Sequence, residues 1–285
     1  MYLSRGGRCH LKNVISMGIF NVYFAREEFM ALKKLFVIGF VAAVLVACGD
    51  DDSGFISRPD GKNLSSSSKS SSSGLMSERE RCDVETDENC MRDDRDGQTY
   101  RTTKIGDQVW MAENLNFETE NSDCYKNSAE YCAKYGRLYT WAAAMDSAGI
   151  WSTNGKDCGY RNTCSPTYPV RGVCPEGWHL PSIDEWDSLL TAVGGSATAG
   201  IMLKSTEGWD ESSNGTDAFG FSALPAGDGH NGVAFNSEGD YAYFWSSTEH
   251  EGDYACEVFM DNGDDYAKLS RRNRSLEQSV RCLKD

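Results

Sequence analysis

The sequence predicts one disulfide-stapled α+β domain carried behind a long non-globular N-terminal stretch. Three observations predict it. A capped amphipathic helix lies mid-chain, short aromatic runs between glycine turns fill the C-terminal third, and 11 cysteines occur among 285 residues. That cysteine count exceeds what a reduced protein of this size keeps. Hydrophobic residues at 40% and charged residues at 25% exclude wholesale disorder. With 28 Lys and Arg against 43 Asp and Glu, the formal net charge is −15. Nucleic acid is thereby excluded as a partner, because phosphate contacts need a basic face.

The elements follow in chain order. Asp96-Gly97 turns the chain into residues 100–105, and Gly106-Asp107 turns it again into Gln108-Val109-Trp110-Met111, which reads as a β-hairpin. Residues 138–148 are alanine-rich with Trp141 and Met145 at i, i+4, which predicts a helix. Ser182 followed three residues later by Glu185 is a capping box. Trp186, Leu189, Leu190 and Val193 then mark a buried helical face that Gly194-Gly195 ends. A shorter helix is predicted over residues 198–204. Beyond Gly208 the pattern is β: residues 219–224, then Pro225 and a glycine-rich loop to Gly232, then the aromatic run 241–247. Residues 254–260 and 266–269 flank an Asn262-Gly263 hairpin turn, and residues 278–284 form a last strand with Val280 and Cys282 on one face. Early helices and a late antiparallel sheet define the α+β class.

The N-terminal stretch divides into three parts. Met30-Ala31-Leu32-Lys33-Lys34 is a positive n-region, and the 12 residues from Leu35 to Val46 carry no charge. This run is too short to span a bilayer and has the layout of a secretory signal. Its ending, Leu45-Val46-Ala47-Cys48, resembles a bacterial lipobox, which implies cleavage before Cys48 and lipidation of that cysteine. Met30 is then the expected start, and residues 1–29, with Cys9, are an upstream extension. Residues 1–47 hold six basic and two acidic side chains, so the remaining chain has 22 basic, 41 acidic and a net charge of −19. Such a surface repels anionic membrane, leaving the lipid to hold it there. Residues 48–81 are rich in serine and poor in apolar residues, which predicts a disordered tether with a reach of roughly 30 Å. The folded domain is expected over residues 82–285.

Several blocks of the domain carry a family resemblance. Asp96-Gly97-Gln98-Thr99-Tyr100, Trp110-Met111-Ala112-Glu113-Asn114-Leu115 and Gly136-Arg137-Leu138-Tyr139-Thr140-Trp141 are three of them. Val173-Cys174-Pro175-Glu176-Gly177-Trp178-His179-Leu180-Pro181-Ser182, Phe244-Trp245-Ser246-Ser247-Thr248-Glu249 and Ser279-Val280-Arg281-Cys282 follow in order. Together they resemble the Fibrobacter succinogenes major paralogous domain, from about Asp94 to Asp285. The resemblance implies a secreted or surface bacterial protein, often a lipoprotein, with no established molecular activity. In fold the chain is also similar to the C-type-lectin-like domain and to the related fold of formylglycine-generating enzymes. The lectin-like pattern implies a bond from the helix-side cysteine to the terminal one, Cys174 to Cys282.

With Cys9 and Cys48 set aside, nine cysteines remain. Cys82 with Cys90, Cys124 with Cys132 and Cys158 with Cys164 are the economical local staples. Adding Cys174–Cys282 leaves Cys256 unpaired, as a buried thiol on a strand or a reactive one. Zinc is disfavoured, since the chain has no CxxC and no paired His. No G-x-S-x-G, P-loop, HExxH or dinucleotide fingerprint occurs. The copper-binding cysteines of formylglycine-generating enzymes have no counterpart either.

His179 reads as a hydrogen-bonded structural residue, and His230 and His250 fall in polar loops. With 41 acidic side chains to choose from, no carboxylate pair stands out. Asp261, Asn262, Asp264 and Asp265 offer oxygen ligands for Ca²⁺, but without EF-hand spacing they read better as a solvated turn. The Glu-Pro-Asn and Trp-Asn-Asp signatures of calcium-dependent sugar-binding lectins are missing too. Trp209, Tyr241, Tyr243, Trp245 and Tyr254 are weak candidates for stacking on sugar rings. The leading expectation is a lipid-anchored, non-catalytic surface module that binds polysaccharide or protein without a cofactor. Its rivals are a secreted enzyme using carboxylates or Cys256, and a purely structural envelope protein.

Overall fold

The computed structural model describes residues 81–285. The signal, the tether and Cys48 lie outside the described residues. No helix among the described residues is long and apolar enough to cross a membrane.

The chain enters at β1 (Cys90–Arg92), which pairs antiparallel with β2 (Thr99–Ile105), and β2 returns as β3 (Gln108–Met111). The Gly106-Asp107 turn makes this hairpin as its sequence predicts. After β4 (Ser122–Asp123) come α1 (Ala129–Tyr135), β5 (Leu138–Thr140) and α2 (Trp141–Ala144). The helix predicted over residues 138–148 is therefore cut short: its first three residues are strand, and only Trp141–Ala144 is helical. Tyr139 and Thr140 pair with Gln278 and Glu277, and the long-range ladder outweighs the alanine-rich propensity. Thr140 caps the single helical turn that follows, and Asp146, at φ +54°, ends it. Trp141 and Met145 are nevertheless both fully buried, in the same cluster.

Next come β6 (Trp178–His179), α3 (Ile183–Ala192) and α4 (Ser196–Leu203). The capping box forms fully: the Ser182 hydroxyl accepts from the Glu185 N–H, and the Glu185 carboxylate accepts from the Ser182 N–H at 2.8 Å. Residues 219–224 do not form the predicted strand. Gly220 and Ser222 adopt positive φ, the Asp217 carboxylate accepts from the Ser222 N–H, and only Ala223 makes a bridge, to Lys204. β7 (Asp228–His230) and β8 (Ala234–Asn236) form a hairpin inside the glycine-rich loop. β9 (Tyr241–Glu249), β10 (Tyr254–Asp261) and β11 (Ala267–Asn273) form a three-stranded antiparallel sheet. The last predicted strand is split into β12 (Leu276–Gln278) and β13 (Leu283–Lys284), which belong to different sheets. Between them the Val280 and Cys282 carbonyls accept from Leu115 and Met111.

Two five-stranded sheets, β1-β2-β3-β13-β6 and β4-β5-β12-β7-β8, complete an architecture that, among the described residues, has antiparallel sheets and four short α-helices. One apolar cluster lies where Trp186, Leu189 and Leu190 of α3 meet Phe244, Val258 and Met260 of the three-stranded sheet. Another gathers Trp141, Trp178, Trp245, Val280 and the Cys174–Cys282 bond.

Candidate functional site

The three-stranded sheet has two unlike faces. Ala242 and Phe244 of β9 and Val258 and Met260 of β10 are buried in the core, so the pleat turns Tyr241, Tyr243, Glu257 and Phe259 to the opposite face. There the Tyr241 and Tyr243 rings stack at 5.2 Å with planes 2° apart, and Phe259 lies 6.1 Å from Tyr243. Tyr241 and Phe259 are half-buried, and Tyr266 beside them is exposed. Lys268 from β11 sits over Phe259 and Tyr266 at 5.6 and 5.2 Å, and the Arg272 guanidinium sits 4.4 Å over Tyr243. The result is an aromatic strip edged by two cations.

Behind the strip lies a carboxylate cluster. Arg272 approaches Asp228 of β7 at 3.6 Å and Glu257 at 3.9 Å. The Gln278 side-chain amide donates to Glu257, and the Gly232 N–H donates to Glu277 at 3.0 Å. Gly229 leaves room for Glu277, because a Cβ there would collide with its carboxylate. Burial is the main cause that pushes Glu257 and Glu277 up to about 7, and it raises Asp228 as well. Glu257 and Glu277 each expose 1% of their surface; Glu257 lies beneath the strip, while Glu277, paired in register with Gly229, points to the other face of its sheet beside Phe235.

The five predicted stacking residues divide. Trp209 and Trp245 are core residues: the Trp209 indole donates to Ser205 and Ala223, and the Trp245 indole to the Tyr139 carbonyl. Tyr243 is 5% exposed and supports Tyr241 from below. Tyr254 is exposed at the far end of β10. Only Tyr241 combines ring exposure with the strip.

The Asp261–Asp265 turn is organised around an internal cation. The Lys204 ammonium, 2% exposed as a residue, donates to the Asp261 and Asp264 carbonyls, both at 3.1 Å, and Lys268 pairs with Asp264 at 2.8 Å. Among the described residues no three His, Cys, Asp or Glu side chains converge as metal ligands.

His179 joins Asp285 through Nδ1 at 2.7 Å and Glu185 through Nε2 at 3.0 Å, tying the capping box of α3 to the chain end. Burial lowers its pKa, but the two carboxylates outweigh burial and leave it raised.

The structure joins Cys82 to Cys90, Cys124 to Cys132, Cys158 to Cys164 and Cys174 to Cys282. Cys256 corrects the sequence expectation. It is fully buried and disulfide-bonded rather than unpaired.

Away from the strip, a groove of about 390 Å³ is lined by Arg81, Gln98, Tyr100, Glu113, Asn116 and Gly136. Its polar groups largely satisfy one another. Asn116 donates to Gln98 at 3.1 Å, Gln98 donates back to the Asn116 carbonyl at 3.0 Å, and Glu113 accepts from the Arg101 N–H at 2.8 Å.

Sequence reasoning missed Asp228, Glu257, Phe259, Arg272 and Glu277. The alternation of Glu257 and Phe259 with Val258 and Met260 was the available signal for β10. The other three depend on pairings between distant strands.

No curated protein and no solved structure matches the chain. The model of the Fibrobacter succinogenes major domain matches residues 103–284. That match covers more than half of the chain and takes in both the aromatic strip and the disulfide that closes the fold, so the chain belongs to the Fibrobacter succinogenes major domain family.

Proposed function

We propose that this protein is a lipid-anchored, non-catalytic surface module that binds polysaccharide. The aromatic strip of Tyr241, Phe259 and Tyr266, edged by Lys268 and Arg272, carries the reading. Flat, partly exposed rings offer the faces on which the C–H edges of sugar rings stack, and they are rigid contacts with little side-chain entropy to lose. The block order similar to C-type-lectin-like domains supports the same reading. Export and anchoring rest on the 30–48 segment: signal cleavage before Cys48, lipidation of that cysteine, and a serine-rich tether that holds the domain off the bacterial outer surface.

The burial of Glu257 and Glu277 favours binding over catalysis, since a general acid must touch its substrate. A reactive Cys256 is disfavoured by its disulfide.

Retention of the full chain on immobilised polysaccharides and on surface-protein extracts tests the reading. Wild-type protein should be retarded by at least one polysaccharide, and Tyr241→Ala should lose most of that retention. Failure to bind any glycan, together with turnover of some substrate, overturns the proposal in favour of an enzyme. Retention by protein alone moves it to an adhesion module.

A further inference from the structure

We propose that α4 is a clamp that presents Tyr266 and Lys268 to the saccharide, with Lys204 as its positioning residue. This inference rests on the polysaccharide reading above and adds what holds one half of the strip in place.

The two halves of the strip are supported differently. Tyr241 and Phe259 lie within the β9–β10 ladder, where Tyr241 pairs with Asp261 and Tyr243 with Phe259. Tyr266 follows the Asp261–Asp265 turn, and the β10–β11 register begins only at Ala267, so it stands outside that ladder. A ring on a loose turn would lose conformational freedom on binding, which weakens the contact unless its backbone is already fixed.

One stripe of α4 fixes it. Ser196, Gly200 and Lys204 recur at i, i+4 and i+8 and share a face, with Lys204 as the C-cap. The turn runs antiparallel beside them. The Ser196 hydroxyl donates to the Ala267 carbonyl, and the Ile201 N–H donates to the Asp265 carbonyl at 3.1 Å. The Lys204 ammonium donates to the Asp261 and Asp264 carbonyls, both at 3.1 Å. Gly200 permits this approach, because a Cβ there would collide with the Asp265 and Tyr266 carbonyl oxygens. Carbonyls on both sides of Tyr266 therefore end on α4.

The charge of Lys204 matters as well as its reach. Its ammonium is buried, 4.9 Å over the Trp209 ring, and a cation removed from water needs partners. The turn supplies the two carbonyls and the nearby carboxylates of Asp261, Asp264 and Asp265, which would repel one another beside an apolar neighbour. Lys268 meets Asp264 at 2.8 Å and Asp261 at 3.9 Å, so two cations hold the turn. Lys268, its side chain 40% exposed and 5.2 Å over Tyr266, can reach a ligand. Lys204, 2% exposed, cannot, so it acts through Tyr266 and Lys268.

A double-mutant cycle on the full chain tests the proposal. The probes are an immobilised α-glucan, β-glucan and galactomannan, neutral polymers that the carboxylates of the turn do not repel. Tyr266→Ala should weaken retention about tenfold on the polymer that holds wild type. Lys204→Met, similar in length but uncharged, should weaken it by a similar factor. The double variant should bind about as Tyr266→Ala does, because the ring that Lys204 positions is already gone. A residue that served the fold alone would lower the melting temperature without coupling to Tyr266. If Lys204→Met does not fold, Ser196→Ala replaces it in the cycle, since Ser196 is exposed and the buried charge stays paired. Its expected loss is about twofold and vanishes in the Tyr266→Ala background. Unchanged retention in the folded variant, or losses that multiply, overturns this inference and leaves the polysaccharide reading standing. Absence of wild-type binding to these and all other glycans overturns both.

Discussion

Arg281 shows how much a single side chain carries in this fold. It is fully buried, and its guanidinium donates to Asn114 Oδ1 at 2.6 Å and to the carbonyls of Met111, Phe221 and Ser222. Those four acceptors belong to the β3 end and to the irregular 221–222 segment, which no strand ladder holds. Replacing Arg281 with Met strands these acceptors in the interior, and an unfolding titration should show a loss of about 3–5 kcal/mol. Glu257 makes the second prediction. Burial raises its pKa to about 7, so the folded state keeps a proton that the unfolded chain releases at its ordinary value of 4.5. The stability from this group is fully present below about pH 4.5 and is lost as pH rises through about 7. Glu277 acts in the same direction. His179 also does, since its raised pKa favours the folded state at lower pH. The melting temperature should therefore fall between pH 5 and pH 8. Glu257→Gln should remove part of that slope, on the order of 3 kcal/mol between the extremes. A profile identical to wild type would show that Glu257 does not hold its proton.

Elements built from local signals were the legible ones. The β2–β3 hairpin needed only Gly106-Asp107 and alternating neighbours, and α3 needed only Ser182, Glu185 and a 3.6-residue apolar stripe. Ser182→Ala should cost α3 its cap and the protein about 1 kcal/mol, read from the denaturant midpoint. The β5–α2 junction, the 219–224 segment and the divided C-terminal strand were not legible, because partners more than fifty residues away decide them. Tyr139 is a strand residue through Gln278, and residues 221–222 stay irregular around Arg281. The candidate site is hidden for the same reason, since β7, β9, β10, β11 and β12 each contribute to it. Its legible members were Tyr241 and the Tyr243 that stacks on it, while the strand aromatic Trp245 belongs to the interior. The Cys174–Cys282 bond joins elements 108 residues apart. Cys174→Ser should lower stability by roughly 4–5 kcal/mol if the bond constrains the unfolded chain by loop closure. A much smaller loss would mean that packing around Val280 holds the two elements without it.

For the whole molecule the proposal is an anchored chain in which distance from the lipid and ligand contact are separate jobs. The 30–48 segment predicts a mature protein that begins at a diacylated Cys48. Intact mass of protein purified from the membrane fraction should show that start, and retention of Met1 would contradict it. The same sample should be mapped for the partner of Cys256. A lipid thioether at Cys48 and a disulfide from Cys48 exclude each other, so the two results bear on one another. The central claim concerns the folded domain, where a −15 chain turns an aromatic strip outward. Its most direct test is the retention of wild type and Tyr241→Ala on an immobilised neutral polysaccharide, with unchanged melting temperature as the control. The account predicts that wild type is retained and the variant is not. Equal retention of both, with the fold intact, would contradict it.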